Sequence, residues 1–309
     1  MLAAPRRRLA FRNIVYQTFG PGAASGGGRQ GGEEQPRLLS RAADDLKLTR
    51  TTVKHWIRYR HRGETAFGTL DGDTILEHVG NMFEAPQASG RKIARSEVEL
   101  IAPTSPSKVI ALWNNFHALA AKLAVPEPAE PLYLLKAPTS VTAPDAAIAR
   151  PASYDGKIVY EGELGIVIGR TCHRVTPEDA AAHIFGYTCV NDVTAADIIA
   201  KDKTFAQWAR AKSFDGFCPF GPVVATGIDP SLLVVRTLLD GVERQSYPIA
   251  DMIFSASELV SKLSHDMTLL PGDLICCGTS LGVGSIKGPV NVITVAIEGI
   301  GELRNELRQ

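Results

Sequence analysis

Short strand-like runs separated by turn residues dominate this sequence. Helical periodicity is confined to short pieces such as Ala256–Ser264. Many strands with few helices predict an α+β fold that is mainly β and mainly antiparallel, and they argue against a doubly wound sheet. The runs, each bounded by glycine, proline or aspartate, include Leu132–Lys136, Ile158–Ile168, Phe185–Val190, Gly221–Ala225, Val234–Leu239, Leu274–Cys277 and Val292–Ile297.

The first segment, residues 1–52, differs from the rest in composition. It contains Arg6-Arg7-Arg8, a glycine-rich stretch between Ala23 and Gly32, and no acidic residue before Glu33. Such a composition predicts a disordered leader, because too few apolar residues are present to offset the entropy of folding. An organelle transit peptide is an alternative, and a nucleic-acid-binding tail is a weaker one.

The remaining chain divides at a proline-containing linker. The pattern of residues 53–102 predicts that they form a small N-terminal β-rich domain, with Asp71-Gly72 as a hairpin turn. Residues 103–309 predict a larger domain that begins at the linker prolines Pro103 and Pro106. Within it, Asn114–Leu123 is expected to form a short helix.

Composition excludes several broad classes of function. The 33 basic and 33 acidic residues give zero net charge, which argues against a dominant attraction to nucleic acid or to a membrane surface. No apolar stretch approaches the roughly 20 residues that cross a bilayer. The cysteines are odd in number, show no zinc spacing and are expected to be reduced core residues of a cytoplasmic protein: Cys172, Cys189, Cys218, Cys276 and Cys277.

Two carboxylates lie inside one apolar strand-like run, Tyr160–Gly169. Because strand side chains alternate between faces, Glu161 and Glu163 share one face of the strand. A run this apolar should be buried, and two buried carboxylates side by side need a cation to offset their desolvation. The alternative is an exposed edge strand whose acidic side chains are solvated.

Asp192 ends the next strand-like run and supplies a third carboxylate. Three carboxylates without histidine or cysteine suit a hard divalent cation such as Mg²⁺. The sequence therefore predicts a metal site at Glu161, Glu163 and Asp192.

Five motifs follow one another along the chain: Pro131-Leu-Tyr-Leu-Leu-Lys136-Ala-Pro, Tyr160–Gly169, Gly186-Tyr187 with Asn191–Ala195, Gln207–Asp215, and Pro271-Gly272-Asp273 with Gly278-Thr279. In this order they resemble the motifs of the fumarylacetoacetate hydrolase (FAH) family, which includes acylpyruvate hydrolases, oxaloacetate decarboxylases and tautomerases, and isomerases of catechol meta-cleavage products. The resemblance implies a twisted β-roll catalytic core over residues 103–309, a Mg²⁺ ion (Mn²⁺ being the alternative) and a homodimer.

The resemblance also implies roles for individual residues. Lys212 would lie near the charge that develops on the substrate, and Lys136 is a weaker candidate for a catalytic group. Gly278 and Thr279 would contact the substrate carboxylate, although Thr279 could equally be a plain turn residue. For Lys212 the alternative is a solvated surface lysine.

The sequence departs from the family at two places. Many FAH hydrolases carry a lid helix whose histidine and glutamate activate water, and here those positions hold Leu119 and Lys122. His117 is expected to be a cap or surface histidine. An arginine and a glutamine of many family members are replaced by Ala196 and Ile199, which favours a larger or more apolar 2-oxo acid.

These observations predict a metal-dependent enzyme that acts on a small-molecule 2-oxo acid, of the acylpyruvate or meta-cleavage type, through a metal-stabilised enolate. The family label favours a C–C bond hydrolase. The missing lid dyad keeps open an isomerase or keto–enol tautomerase, because isomerisation needs no base to activate water. A catalytically impaired metal-binding dimer is the further alternative.

Overall fold

A computed structural model of the chain describes residues 52–309. The predicted leader, residues 1–52, lies outside the described residues except for residue 52, so its prediction stays untested. No helix among the described residues is long and apolar enough to cross a membrane.

Short strands and a few short helices make up the described chain. The strands are β1 (Lys54–His61), β2 (Glu64–Asp71), β3 (Thr74–Val79), β4 (Gln87–Ala94), β5 (Glu99–Ile101), β6 (Val109–Trp113), β7 (Leu132–Lys136), β8 (Val141–Thr142), β9 (Ala147–Ala149), β10 (Ile158–Tyr160), β11 (Gly162–Ile168), β12 (Ile184–Asn191), β13 (Thr194–Ala195), β14 (Cys218–Thr226), β15 (Val234–Leu239), β16 (Val242–Pro248), β17 (Leu274–Cys276), β18 (Gly284–Ser285), β19 (Val290–Ile297) and β20 (Gly301–Arg308). The α-helices are α1 (His117–Leu123), α2 (Pro177–Ala180), α3 (Ala196–Ile199), α4 (Trp208–Lys212) and α5 (Ala256–Asp266). Single 3₁₀ turns lie at Arg95–Glu97, Pro138–Ser140, Ala181–His183, Pro230–Leu232 and Ile249–Asp251.

One large sheet runs through the described chain in the order β4-β3-β2-β1-β14-β12-β11-β17-β6-β7. Most neighbours along this path are antiparallel, and β17 with β6 is a parallel pair. Two smaller sheets have the orders β13-β10-β18 and β16-β15-β19-β20-β9. The predicted α+β class with a mainly β, mainly antiparallel architecture is confirmed.

The N-terminal strands belong to the large sheet. Strand β1 pairs with β14, so that Trp56 lies opposite Val224, and β2, β3 and β4 extend the sheet from there. The predicted division of the chain at residues 102 and 103 stays a prediction. The pairing of β1 with β14 joins residues on the two sides of this predicted boundary.

Strand β11 lies at the centre of the large sheet, between β12 and β17, and every one of its residues is buried. Leu164, Ile166 and Ile168 belong to the main apolar cluster. An exposed edge strand is therefore the wrong alternative for this run. The prediction that the cysteines are unpaired core residues is confirmed, because all five are free and buried.

The structure corrects the predicted start of α1. The helix begins at His117 rather than at Asn114, because Asn114 has a φ of 56° that is incompatible with a right-handed helix. The next residue, Asn115, is used elsewhere: its Nδ2 donates to the Cys277 carbonyl at 2.9 Å and its Oδ1 accepts from the Phe254 amide at 3.0 Å. These bonds tie the start of α1 to the segment before α5 and to the residue that follows β17.

Helix α5 has a clear start signal in the sequence. The Ser255 side chain accepts from the Glu258 amide, and the Glu258 side chain accepts from the Ser255 amide, which forms a capping box. The predicted helix Ala256–Ser264 is confirmed and extends to Asp266.

Candidate metal centre

The three carboxylates predicted from the sequence converge in the structure. One carboxylate oxygen each of Glu161, Glu163 and Asp192 lies within 4.8 Å of the others, and all three residues are buried. Glu161 occupies the break between β10 and β11, Glu163 is the second residue of β11, and Asp192 directly follows β12. Pairing of β11 with β12, which places Gly162 opposite Asn191, brings the residues together.

Local hydrogen bonds fix the break in the strand at Glu161. The Glu161 amide donates to Oδ1 of Asn191 at 3.0 Å, and the Asp192 amide donates to the Glu161 carbonyl at 2.8 Å. The Thr194 hydroxyl donates to Oε1 of Glu161 at 2.7 Å. The break turns the Glu161 carboxylate toward the other two and leaves its backbone groups satisfied.

Both predicted lysines lie against these carboxylates. Nζ of Lys212, at the end of α4, donates to Oδ2 of Asp192 at 2.6 Å and to Oε1 of Glu161 at 3.1 Å. Nζ of Lys136, at the end of β7, donates to Oδ1 of Asp192 and to the Phe217 carbonyl. Both side chains are buried, so a solvated surface lysine is the wrong alternative for Lys212.

The three carboxylates have different electrostatic surroundings, and their pKa values shift in different directions. Burial would raise the pKa of Asp192, but the adjacent ammonium groups of Lys136 and Lys212 outweigh burial and lower it. Burial raises the pKa of Glu161 despite the nearby Lys212. Burial and the negative charge of Asp192 raise the pKa of Glu163 well above its usual value. Because two ammonium groups face three carboxylates, the fully ionised group would carry one uncompensated negative charge.

The residues present fit a divalent cation. Oε1 of Glu163 is buried and has no hydrogen-bond partner among the described residues, which is the state of an oxygen whose partner is a bound ion. The donor atoms that converge are all carboxylate oxygens, which Mg²⁺ and Mn²⁺ prefer over sulfur. Glu161, Glu163 and Asp192 would hold the ion.

Gly278 and Thr279 lie beside the same strand. The Gly278 amide donates to Oε2 of Glu163 at 2.9 Å. The Thr279 hydroxyl donates to the Gly162 carbonyl at 3.0 Å. Both residues thus contact the chain that carries the glutamates, and the substrate contacts predicted for them stay predictions.

The lid positions carry no histidine–glutamate dyad. Leu119 packs against the main apolar cluster, and Lys122 lies on the exposed side of α1. His117 is about half exposed, as predicted for a surface histidine, and its Nδ1 lies 2.6 Å from Oε1 of Glu127. Ala196 and Ile199, which replace the polar family residues, are the first and last residues of α3.

Three residues that support the site were not predicted from the sequence. Gln245 and Tyr247 of β16 are buried and hydrogen-bond to Gly162, between the two glutamates. In β16, residues 245 and 247 face inward while 244, 246 and 248 are exposed, but the mixed polar sequence of this strand carries no signal of that alternation. Thr194, which bridges Glu161 and Lys212, lay inside a recognised motif but was given no role.

Comparison with known proteins decides the family. Residues 108–308 match the family described as "Fumarylacetoacetate (FAA) hydrolase C-terminal". The chain belongs to the fumarylacetoacetate hydrolase family. Residues 54–103 match a separate family described as "Rv2993c-like, N-terminal".

Similar members of the FAH family carry different reaction names. Oxaloacetate tautomerase YisK of Bacillus subtilis (strain 168) is 36% identical over 79% of this chain and 88% of its own. The crystal structure of 2-hydroxyhepta-2,4-diene-1,7-dioate isomerase from Mycobacterium marinum is 36% identical, with a TM-score of 0.75 over 82% of this chain and 98% of its own. A fumarylacetoacetate hydrolase from Exiguobacterium antarcticum is 32% identical, with a TM-score of 0.71 over 82% and 99%.

Proposed function

We propose that this chain is a divalent-metal-dependent enzyme that forms the enolate of a small-molecule 2-oxo acid, of the acylpyruvate or meta-cleavage type. The observation that carries the proposal is the buried set of Glu161, Glu163 and Asp192 with the ammonium groups of Lys136 and Lys212 beside it. A bound Mg²⁺ or Mn²⁺ ion supplies Lewis-acid stabilisation of negative charge on the 2-oxo group.

Lys212 supplies a second, fixed positive charge. Its ammonium group is buried and is held by Asp192, Glu161 and the Thr194 hydroxyl. A preorganised cation in a site that excludes water stabilises charge that develops in the transition state, because it does not have to reorient. We assign Lys212 to stabilisation of the enolate and Lys136 to holding Asp192 ionised.

Isomerisation or keto–enol tautomerisation is the first candidate reaction. It requires proton transfer next to a stabilised enolate and no activated water. The lid helix agrees with this reaction, because Leu119 packs against the apolar core at the position of the water-activating histidine in many FAH hydrolases. The family members named as a tautomerase and as an isomerase, each 36% identical to this chain, support this choice.

Hydrolysis of a C–C bond is the second candidate, and one contact favours it. His117 and Glu127 form a histidine–carboxylate pair at 2.6 Å beside the lid helix. A carboxylate that orients an imidazole is a common arrangement for a general base that activates water. Under this candidate, His117→Asn abolishes release of the cleaved 2-oxo acid.

The two reactions are separated by one experiment. The protein is incubated with Mg²⁺ and an acylpyruvate panel in D₂O, with deuterium at C3 followed by NMR and pyruvate measured in parallel. Isomerisation predicts deuterium exchange faster than in an enzyme-free sample and without pyruvate release, whereas stoichiometric pyruvate establishes hydrolysis. Neither accelerated exchange nor pyruvate, while Mg²⁺ is bound, would contradict action on acylpyruvates and would favour a catalytically impaired metal-binding protein.

We further propose that the protein is a homodimer, as implied by the family resemblance. Light scattering coupled to size-exclusion chromatography tests this proposal. A mass of one chain of 33.2 kDa would contradict it.

A further inference from the structure

The residue between the two glutamates of the metal centre has both backbone polar groups bound by side chains. Oε1 of Gln245 accepts from the Gly162 amide at 3.0 Å. The Tyr247 hydroxyl donates to the Gly162 carbonyl at 2.5 Å, and the Thr279 hydroxyl donates to the same carbonyl at 3.0 Å. These bonds come from β16 and from the segment after β17, so two distant parts of the chain meet at one residue.

The three side chains form one connected unit, here named the Gly162 clamp: Gln245, Tyr247 and Thr279. Nε2 of Gln245 donates to the Thr279 hydroxyl at 2.9 Å and to the Leu281 carbonyl at 3.2 Å. The clamp residues are 1%, 4% and 7% exposed, respectively. Because a buried polar group that loses its partner pays its full desolvation cost, this unit holds the backbone firmly.

Close packing against β15 also restricts the backbone at Gly162. A Cβ atom added to Gly162 would lie 1.9 Å from Oγ1 of Thr237, so only glycine fits at this position. The chain between the glutamates is therefore packed directly against β15 and hydrogen-bonded from β16.

A restrained backbone at Gly162 is needed for metal binding, because it keeps the neighbouring carboxylates close together. Three carboxylates within 4.8 Å repel one another when all are ionised, which is the state that binds a cation, so a free backbone would let them separate. Binding of a cation requires ligands held within roughly 0.5 Å of their working positions. The Gly278 amide, bound to Oε2 of Glu163 at 2.9 Å, restrains one ligand further.

We propose that the Gly162 clamp positions Glu161 and Glu163 for a divalent cation, which makes Gln245 and Tyr247 positioning residues of the metal centre. This inference rests on the metal-dependent function proposed above. The hydroxyl hydrogen of Thr279 is used by the Gly162 carbonyl, so the clamp assigns that hydroxyl to the metal-bearing strand.

Mn²⁺ binding to the full-length protein, followed by electron paramagnetic resonance, tests the inference without any assay of activity. Tyr247→Phe and Gln245→Leu each remove clamp hydrogen bonds at nearly constant volume. Loss of an outer-shell partner typically weakens metal binding about 10–100-fold, and we expect an effect in this range. Thr279→Val should weaken binding as well, whereas Thr279→Ser keeps the hydroxyl and should restore it.

A matched control separates positioning from general destabilisation. The Tyr59 hydroxyl is also buried and donates to Oε2 of Glu77 at 3.2 Å, in the N-terminal strands. Tyr59→Phe should lower the melting temperature and leave Mn²⁺ affinity unchanged.

Two results would overturn the inference, and they are distinguishable. If the wild-type protein binds Mn²⁺ and the clamp variants bind it within twofold of wild type, the clamp has no positioning role while the metal centre stands. If the wild-type protein binds no Mn²⁺, both the clamp and the proposed metal-dependent function fail.

Discussion

Lys212 donates a 2.6 Å hydrogen bond from its ammonium group to Oδ2 of Asp192, and both side chains are buried. The second oxygen of Asp192 accepts from Lys136. Each carboxylate oxygen of Asp192 therefore accepts a hydrogen bond from one ammonium group. The lowered pKa of Asp192 follows, because the two cations outweigh the effect of burial. In such a buried network, removing the charge of one residue changes the energy of the others.

Removal of the Lys212 charge should impair catalysis more than metal binding. Because a preorganised donor to developing negative charge typically contributes about 10²–10³-fold in kcat, we expect Lys212→Met to lose activity in that range. Mg²⁺ affinity should not fall, since one competing cation has been removed from Glu161 and Asp192. Steady-state kinetics and calorimetry measure the two quantities. The exposed Lys201→Met is the control, and a Lys212→Met rate within threefold of wild type would contradict the assignment.

Loss of the Asp192 charge should destabilise the metal-free protein. Asp192→Asn leaves two buried ammonium groups short of a counter-charge, and breaking such a buried pair costs about 3–5 kcal/mol. The exposed pair Arg60–Glu99 provides the control, because Glu99→Gln should change the free energy of unfolding by no more than about 1 kcal/mol. Equal effects of the two substitutions in urea unfolding would show that the Asp192 network is not stabilising.

The raised pKa of Glu163 predicts a pH dependence of stability in the absence of metal. Burial and the charge of Asp192 raise this pKa well above the reference value of 4.5, so the folded protein retains a proton that the unfolded chain releases. The stabilisation is complete below pH 4.5 and is lost as the pH rises through the folded-state pKa. Glu163→Gln cannot titrate and should flatten this part of the curve. Urea unfolding in EDTA at several pH values measures it, and parallel curves for the two proteins would refute the prediction.

The close approach at Gly162 predicts a rescue by a second substitution. Gly162→Ala places a methyl group on Oγ1 of Thr237, and overpacking of this kind costs about 1–3 kcal/mol. Thr237→Ala removes the clashing oxygen, which has no hydrogen-bond partner among residues 52–309, and should recover part of the lost stability in the double variant. A double variant no more stable than Gly162→Ala would place the strain elsewhere.

The sequence predicted the acidic part of the centre because its signal is local. Glu161 and Glu163 are two residues apart in an apolar run, which predicts two buried carboxylates close together. The predicted single strand Ile158–Ile168 is wrong at Glu161, where the strand breaks between β10 and β11, and hydrogen bonds at this break position Glu161. Asp192 and Lys212 lie in family motifs. Their pairing, and that of Lys136 with Asp192, joins residues 20 and 56 positions apart on different elements and is visible only in the structure.

The supporting residues could not be recognised in the same way. A glutamine at an inward position of a short polar strand resembles an exposed one until its partner is known. For Gln245 that partner is Gly162, 83 positions earlier. Helix α1 starts later than the sequence predicts for a related reason, since Asn114 adopts a left-handed conformation and Asn115 makes tertiary hydrogen bonds. The pairing of β1 with β14 is likewise non-local.

The most direct test of the metal centre is calorimetric titration of the metal-free protein with Mg²⁺. The wild-type protein should bind one ion per chain, and Glu163→Gln should abolish measurable binding, because Glu163 supplies a buried carboxylate oxygen that has no hydrogen-bond partner among residues 52–309. Glu77→Gln is the matched control, since Glu77 is a buried glutamate already bonded to Tyr59 and Arg91, and it should bind like wild type. Equal Mg²⁺ affinity of wild type and Glu163→Gln, or no binding by either, would contradict the account.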